Sequence, residues 1–473
     1  MTSSLGSHPS LSEVTQEALR LQRRRRLPVP LRLLVALAGL IALGTGLLLL
    51  PGMTTRPISF MDALFTSTSA AAVTGLAVLS TSTDFTRLGQ WVILFLMEAG
   101  GLGFMVTLVL TLRLLGRHIS LVDRLAVSSS LGLASPKGIL QVLGRTVAFM
   151  LAVEGIGALI LWAHWRLSGI VPAGDAAFYA LFHSVAAFCN AGFDLFAGLP
   201  QYPAGIPTDP ITLLTLGWLV IIGGLGIPVY MELLHRRTVR QEGARLRRLS
   251  LQTRLALWSA LALVLVGWAG LLLAEYRQAG VLSDLSFGER VLRAWFQSAA
   301  TRTAGFAGLS DFGSLHESSR LLLISLMFIG SAPASMGGGI TTGTFSVLVV
   351  AMWSLARGYD RVRAGQRAIS MATVWRAITV LFISLGVVLI ATWLMLFTQN
   401  LDLSSVLFEV VSAFSTTGLS LGVTGQLDTF GRLLVIALMF WGRLGAVTIV
   451  LIQLKRRGHE SLAKYPEEIV LVG

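Results

Sequence analysis

Glycine closes four short turns at near-equal spacing along this 473-residue chain: Val73-Thr74-Gly75-Leu76, Asn190-Ala191-Gly192-Phe193, Thr303-Ala304-Gly305-Phe306 and Thr416-Thr417-Gly418-Leu419. Successive glycines lie 117, 113 and 113 residues apart. A turn without a side chain at glycine can adopt positive φ and aim successive carbonyl oxygens at one axis. Such oxygens can replace the water shell of a bare monovalent cation. None of the four turns holds a carboxylate, which a divalent-cation site would use as a ligand or charged ring. Potassium therefore fits this chemistry better than calcium.

The elements that must hold these turns repeat with them. A period of about 115 residues exceeds the repeats of soluble solenoids, so each unit contains several helices. Each turn follows an apolar segment (59–72, 175–189, 287–301, 403–415) shorter than the roughly 20 residues a membrane-spanning helix needs. Before these run long apolar segments at 31–50, 146–165, 253–274 and 374–398, and another follows each turn, the first at 88–112. The unit reads helix, half-helix, turn, helix. Irregular backbone at membrane depth is tolerated only where protein or water surrounds it, so the turns line something central. Each half-helix also points the negative end of its dipole at that centre. The expected fold is an all-α polytopic membrane protein of four tandem units around one central pseudo-four-fold pore. Two spans in each of four units make eight. The divisions are a basic N-terminal tail (1–30), repeats at 31–117, 118–240, 241–362 and 363–457, and a C-terminal tail (458–473).

Composition agrees. Hydrophobic residues make up 54% and charged residues 13%, with a mean hydropathy of +0.74, whereas a soluble domain carries about 25% charge. A formal net charge of +13 raises the question of nucleic acid, but most of the basic residues fall in five clusters: Arg20 to Arg26, Arg113 to Arg145, Arg236 to Arg254, Arg357 to Arg376 and Lys455 to Lys464. That is the positive-inside pattern, with no nucleic-acid partner implied. It places both termini in the cytoplasm and Asp84, Asp194, Asp209, Asp311, Asp402 and Asp428 outside, where acids concentrate cations. The Arg20 to Arg26 and Arg236 to Arg248 clusters read as orientation signals or contacts with anionic membrane lipid. The single cysteine, Cys189, excludes an internal disulfide and reads as a packed core residue.

A second marker recurs in the later helix of each unit: Gly100-Gly101-Leu102-Gly103, Gly223-Gly224-Leu225-Gly226, Gly330-Ser331-Ala332-Pro333 and Gly442-Arg443-Leu444-Gly445. Arg443 stands where the other units have Gly101, Gly224 and Ser331. An arginine at membrane depth is expensive and is either paired, for example with Glu98, or functional. In the third unit the marker runs on from Gly330 to Thr344, through Gly330, Ser331, Ala332, Pro333, Gly337, Gly338, Gly339, Thr341 and Thr342. Proline and three consecutive glycines cannot sustain an ordinary helix, so 330–344 is an intramembrane loop.

The repeated unit, with Cys189-Asn190-Ala191-Gly192-Phe193 and Arg302-Thr303-Ala304-Gly305-Phe306, resembles the Trk/Ktr/HKT superfamily of potassium transporters from about residue 31 to the end. Within it the chain is most similar to the KtrB-type membrane subunits of Ktr systems. The resemblance implies that the four turns form a selectivity filter, that Arg443 is an electrostatic barrier below it, and that 330–344 is a gate. Many members carry lysine where Thr341 stands here, which leaves that lysine's role without a counterpart. The resemblance also implies a membrane homodimer on a KtrA-like cytosolic ring of nucleotide-binding (RCK) subunits. That ring senses ATP and ADP, transport often depends on sodium, and Glu467 to Gly473 packs at the dimer interface.

No Walker A sequence, strand-borne GxGxxG or metal-binding cluster is present in the sequence, so neither catalysis nor a cofactor of its own is expected. Taken with the resemblance, the residues point to gated potassium uptake through one single-chain pore, and the resemblance implies a bacterial plasma membrane. The alternative is a secondary transporter coupling sodium or protons to a small solute, which also uses broken helices. Such folds usually pair inverted repeats, whereas these four units run in one orientation.

Overall fold

The computed structural model describes residues 29–103, 139–202, 205–241, 249–277, 280–309 and 312–456. The Arg20 to Arg26 cluster, Asp311, most of the 113–145 basic segment and the C-terminal tail with its expected dimer contact lie outside the described residues.

Unit 1 contains α1 (Val29–Leu48), α2 (Phe60–Ala71) and α3 (Arg87–Gly101). Unit 2 contains α4 (Ile139–Leu167), α5 (Ala176–Phe188), α6 (Pro210–Gly223) and α7 (Ile227–Gln241). Unit 3 contains α8 (Leu251–Arg277), α9 (Phe287–Ala300), α10 (Glu317–Ile329) and α11 (Thr342–Ala356), followed by a hairpin of β1 (Arg363–Ala364) and β2 (Arg367–Ala368). Unit 4 contains α12 (Met371–Thr398), α13 (Leu403–Ser415) and α14 (Thr429–Arg456).

The short helices α2, α5, α9 and α13 have 12, 13, 14 and 13 residues. At 1.5 Å per residue each covers about 20 Å, less than the roughly 30 Å hydrocarbon layer. Their starts are written locally. Ser59 with Asp62, and Ser286 with Glu289, form capping boxes, and Asp402 caps α13 through the Ser405 N–H, satisfying amides that a helix start leaves free.

Each short helix lies on the first helix of its unit. In three units the crossing is a glycine facing a serine. Gly44, Gly157 and Gly267 leave room for Ser67, Ser184 and Ser298, whose hydroxyls donate to the carbonyls of Ile41 (2.7 Å), Glu154 (2.6 Å) and Val264 (2.7 Å). Small residues of this kind let helix backbones approach inside a membrane. The later helix in turn packs on the short helix of the next unit: α3 on α5, α6 on α9, α10 on α13, and α14 back on α2. The four units thus close on one another. Two apolar cores run across the unit boundaries, one taking Phe182, Phe188 and Phe306, the other Phe65, Phe408 and Phe414.

The later helices depart from the sequence expectation. The segment 88–112 reads as one span, yet α3 stops at Gly101 and Gly103 takes φ +82°. In unit 2 the chain bends by 92° between α6 and α7, with Gly226 at φ +86°. In unit 3 Gly330 ends α10 at φ +63°. Glycine both weakens a helix and permits the left-handed residue that stops it. Only α14, which has Arg443 in the marker, runs through. By length and composition, three described helices can cross a membrane (Gly144–Leu167, Leu251–Glu275 and Met371–Thr398), and a fourth if the bent α6–α7 pair is one span.

Three marker glycines sit directly on a short helix's end. A methyl at Gly100, Gly223 or Gly442 would collide with the carbonyl of Ala71, Phe188 or Phe414. Gly223→Ala is expected to lower stability in detergent by about 1–3 kcal/mol, as overpacking does. Gly39→Ala, with nothing within 4 Å, is the matched control and should be neutral or stabilising in a thermal melt.

Candidate functional site

Where each short helix ends, the chain makes the same manoeuvre. Val73, Asn190, Thr303 and Thr416 take φ of 56°, 57°, 84° and 51°, and two residues later Gly75, Gly192, Gly305 and Gly418 take 92°, 67°, 75° and 92°. Positive φ at a β-branched valine or threonine is a genuine outlier and holds only where the surroundings enforce it. Part of the enforcement is visible as hydrogen bonds five residues back: Thr74 N–H to Ser69 O (2.8 Å), Ala191 to Ala186 (2.7 Å) and Thr417 to Ser412 (2.8 Å). These belong to the helix-ending pattern in which a left-handed residue satisfies spare carbonyls. In unit 3 the bond moves by one residue, to Gly305 N–H and Ala300 O at 3.3 Å. Ser69 and Ser412 add hydroxyls that accept from the Gly75 and Gly418 amides at 3.0 and 3.1 Å. Alanines 186 and 299 hold these places in the other two units.

The four turns meet. A Cβ built on Gly75 would lie within 3.0 Å of the Ala191 carbonyl oxygen, one on Gly192 of that of Ala304, one on Gly305 of that of Thr417, and one on Gly418 of that of Thr74. Each glycine abuts the next unit's carbonyl, and the fourth abuts the first, so the backbone closes a ring. All twelve expected residues of Val73 to Gly75, Asn190 to Gly192, Thr303 to Gly305 and Thr416 to Gly418 are brought together there. Two hydroxyl oxygens in the ring, Thr74 Oγ1 and Thr416 Oγ1, are buried without a protein partner. The Asn190 amide oxygen accepts from Thr303 Oγ1 at 3.1 Å while its nitrogen donates to Ala187 O at 2.9 Å, tying the second and third turns.

The segment 330–344 lies against this ring. A methyl on Gly337 would strike Thr303 Oγ1, and one on Gly338 would meet Thr416 Oγ1 at 2.6 Å. Ser331 Oγ lies 3.4 Å from Thr303 Oγ1 and pairs with Ser335 at 2.7 Å. On the other side Ala332 N–H reaches Gly224 O, and Ile227 N–H reaches Ala334 O, both at 3.0 Å, so Pro333 rests on the α6–α7 bend. Gly339 turns at φ +76°, and Thr341 and Thr342 start α11, with Thr341 as its cap.

Arg443 does not pair with Glu98 among the described residues. Its guanidinium donates to the carbonyls of Gly100, at the end of α3, and Met336, within the loop. Both of these partners are neutral carbonyls. Glu98 instead meets Cys189 (3.5 Å), which also meets Glu154 (3.8 Å). Cys189 is buried among apolar side chains as a core residue, but its sulfur faces two carboxyl groups that arrive from α3 and α4, which its sequence neighbours Ala187 and Phe188 do not indicate. Sequence reading also passes over Arg302 as a site residue. It is buried and donates to Ala260 O and Gly330 O, each at 3.2 Å, fastening the third turn to the start of the loop. The signal was there: among the four turns only the third is preceded directly by a charged residue.

A family model for TrkH, described as a cation transport protein, matches residues 37–465. The chain belongs to the TrkH family of cation transport proteins. It is 36% identical over 433 residues to Ktr system potassium uptake protein B of Bacillus subtilis, covering 92% of this chain and 94% of the relative. It is 34% identical to the protein of the same name from Vibrio alginolyticus, covering 94% and 95%. To the potassium/sodium uptake protein NtpJ of Enterococcus hirae it is again 34% identical, covering 92% and 95%. The fold is similar to the crystal structure of the potassium transporter TrkH from Vibrio parahaemolyticus, with a TM-score of 0.68 over 90% of this chain and 84% of that one, at 20% identity. The resemblance drawn from the turns thus holds, and this TrkH-family chain is a membrane transporter, not an enzyme.

Ion pairs stitch the end of the ring assembly where the short helices start. Arg87, opening α3, pairs with Asp175 before α5. Arg432 of α14 pairs with Asp62 of α2 at 2.9 Å, and Arg320 of α10 donates to Ser404 of α13 at 3.1 Å. Beside that last contact, the Ser405 amide and the Ser404 hydroxyl donate to Asp402 and hold its carboxyl down at about 2. The folded value lies below the unfolded one of about 3.9. Its contribution is therefore complete above pH 4 or so and is lost as pH falls through about 2. Asp402→Ala should cost about 1 kcal/mol at neutral pH, and the gap between wild-type and variant melting points should close on acidification through that window.

Proposed function

We propose that this chain is a gated potassium uptake protein with one pore, running through the ring of four turns. The observation that carries the reading is the closed carbonyl ring: four backbone segments from four units, each glycine seated on its neighbour's carbonyl. Carbonyls arranged around an axis, without a carboxylate in the turns, suit a dehydrated monovalent cation. The short helices add their dipoles, each about half a negative charge, aimed at the same point. The uptake function named for the Bacillus, Vibrio and Enterococcus relatives supports potassium as the cargo.

In this reading Val73 to Gly75, Asn190 to Gly192, Thr303 to Gly305 and Thr416 to Gly418 form the selectivity filter, and the four units supply eight spans around it. The loop through Gly330, Ser331, Ala332, Pro333, Gly337 to Gly339, Thr341 and Thr342 is the gate. Arg443 is an electrostatic barrier, and its bond to Met336 O makes it a latch on the loop as well. Opening the loop breaks or redirects that bond. A partner that binds open and closed loops unequally shifts their populations. The partner is a KtrA-like RCK ring below a membrane homodimer, and ATP and ADP act through that ring. Sodium stimulates uptake. Both termini lie in the cytoplasm of a bacterial cell. The membrane potential, about 2.3 kcal/mol per charge per 100 mV, suffices to drive inward flux. The family match disfavours the solute symporter.

The test is ⁸⁶Rb⁺ uptake into proteoliposomes at fixed membrane potential, with sodium competition. Wild-type uptake should be blocked by potassium far better than by sodium. Gly305 has φ +75° and its α-carbon faces the Thr417 carbonyl, so Gly305→Ser should cut that preference about tenfold or more, equivalent to about 1.4 kcal/mol. Unchanged preference would remove the filter assignment, and absent uptake with the ring and nucleotide present would favour the symporter. Deleting residues 334–340 should raise uptake measured without the partner. Equal flux in the deletion and the wild type, with and without partner, would end the gate assignment.

A further inference from the structure

The β1–β2 hairpin between α11 and α12 takes no part in the filter or in the loop, yet it is built around cations. From Trp353 to Arg376 the chain carries five arginines and one acid, Asp360. Arg361, Arg363 and Arg367 are exposed and line a pocket of about 480 Å³ on the hairpin, three cations to the one carboxylate, Asp360, in the same wall. The hairpin is held in place. Arg363 donates its amide to buried Ser354 Oγ at 3.1 Å, its guanidinium stacks 3.6 Å above the Tyr359 ring, and Arg357 lies 4.6 Å from the Trp353 ring. Hydrogen bonds from Arg363 and Arg357 pull the Tyr359 phenol below its ordinary range, a sign of the positive field around it.

Beside this pocket, sharing Ala368 as a wall, runs a groove of about 470 Å³. Its sides are mostly apolar, with Leu251, Leu255, Val347 and Ile369 among them, and Pro333 and Gly343 of the 330–344 segment also line it. Trp353 and Trp375 stand exposed where α11 ends and α12 begins, as aromatic residues do at a membrane–water interface. A second groove of similar size, between α1, α2 and α14, is lined by Ala38, Ile41, Phe60 and Phe440 and has no charged side chain in its wall. The wall of the α11–α12 groove has no charged side chain either; what sets it apart is the arginine-lined hairpin pocket that adjoins it at Ala368.

We propose that the hairpin pocket and the groove together bind one anionic phospholipid, its phosphate held by Arg361, Arg363 and Arg367 and one acyl chain lying against Pro333. Guanidinium groups match phosphate in charge and fork geometry, and each basic residue near an anionic surface contributes about 1 kcal/mol. An acidic face on a cytosolic protein would use the arginines but not the groove, whereas a zwitterionic lipid would bring a cationic headgroup against the arginines along with its phosphate. An anionic lipid offers the phosphate and the acyl chain without that opposing charge. Because the acyl end touches the loop, occupancy biases the loop's conformations whenever the bound lipid fits one of them better.

The test reads binding directly, so it stands whether or not the chain conducts potassium. The full-length purified protein is exchanged into phosphatidylcholine with and without phosphatidylglycerol, and retained lipid is counted by native mass spectrometry. Wild type should retain phosphatidylglycerol over phosphatidylcholine. The triple variant Arg361→Gln, Arg363→Gln, Arg367→Gln should lose that retention about tenfold or more. Ala368→Trp, which fills the junction and keeps every charge, should lose it too. In ⁸⁶Rb⁺ uptake, phosphatidylglycerol should change the wild-type rate and leave both variants unaffected. Equal retention of the two lipids by wild type, or unchanged phosphatidylglycerol retention in the triple variant, overturns the proposal. So does a triple variant that keeps the lipid but loses an acidic cytosolic protein, which would make the hairpin a protein contact.

Discussion

Backbone polar groups that leave a helix inside a bilayer must find partners within the protein, because each unsatisfied group there costs several kcal/mol. This chain breaks its helices repeatedly: after each short helix, and at the markers Gly100 to Gly103, Gly223 to Gly226 and Gly330 to Thr344. Every break is placed where other broken backbone lies. Turn sits on turn, the loop's Ala332 and Ala334 exchange hydrogen bonds with Gly224 and Ile227, and Arg443 reaches two more carbonyls. The irregular segments are thus stable as a set, and the closed order of the four units follows from that need.

Close approach is what makes the set possible. Gly100, Gly223 and Gly442 let the later helices ride on the last carbonyls of the short helices, while Gly44, Gly157 and Gly267 admit the serines at the other crossing. Inside a membrane there is little hydrophobic drive between helices, so packing and interhelical hydrogen bonds hold the assembly. A single methyl at these positions therefore acts on the position of a turn as well as on stability.

The units are equivalent in plan and unequal in detail. Units 1 and 4 brace their glycine amides with Ser69 and Ser412, and units 2 and 3 have alanine there. Unit 3 carries the loop and the buried Arg302, and unit 4 carries an unbroken α14 with Arg443. Arg443 touches unit 1 and the unit 3 loop at once, so one guanidinium ties three units together. The loop faces Thr303 and Thr416 with Gly337 and Gly338, and the small Ser331 hydroxyl is the loop side chain that reaches Thr303. That leaves its position to a few hydrogen bonds, which a modest difference in binding energy can shift.

Much of this was legible in the residues alone, because it depends on local chemistry. Four glycines at fixed spacing mark four left-handed positions that other residues resist, short apolar runs cannot span, and Pro333 with Gly337 to Gly339 cannot be helix. The charge pattern and hydropathy needed no coordinates either. Other features were not local. Val73, Asn190, Thr303 and Thr416 share a left-handed backbone although their side chains differ, since the surroundings impose it. The partners of Arg443 are carbonyls 343 and 107 residues away, and the Glu98–Cys189–Glu154 contact joins three helices. Carbonyl partners leave no side-chain signature in a sequence. The sequence by itself determined which segments must bend and what their backbone could bind; only the tertiary structure decided which broken ends would satisfy one another, because that choice rests on distances set by the packing of all four units.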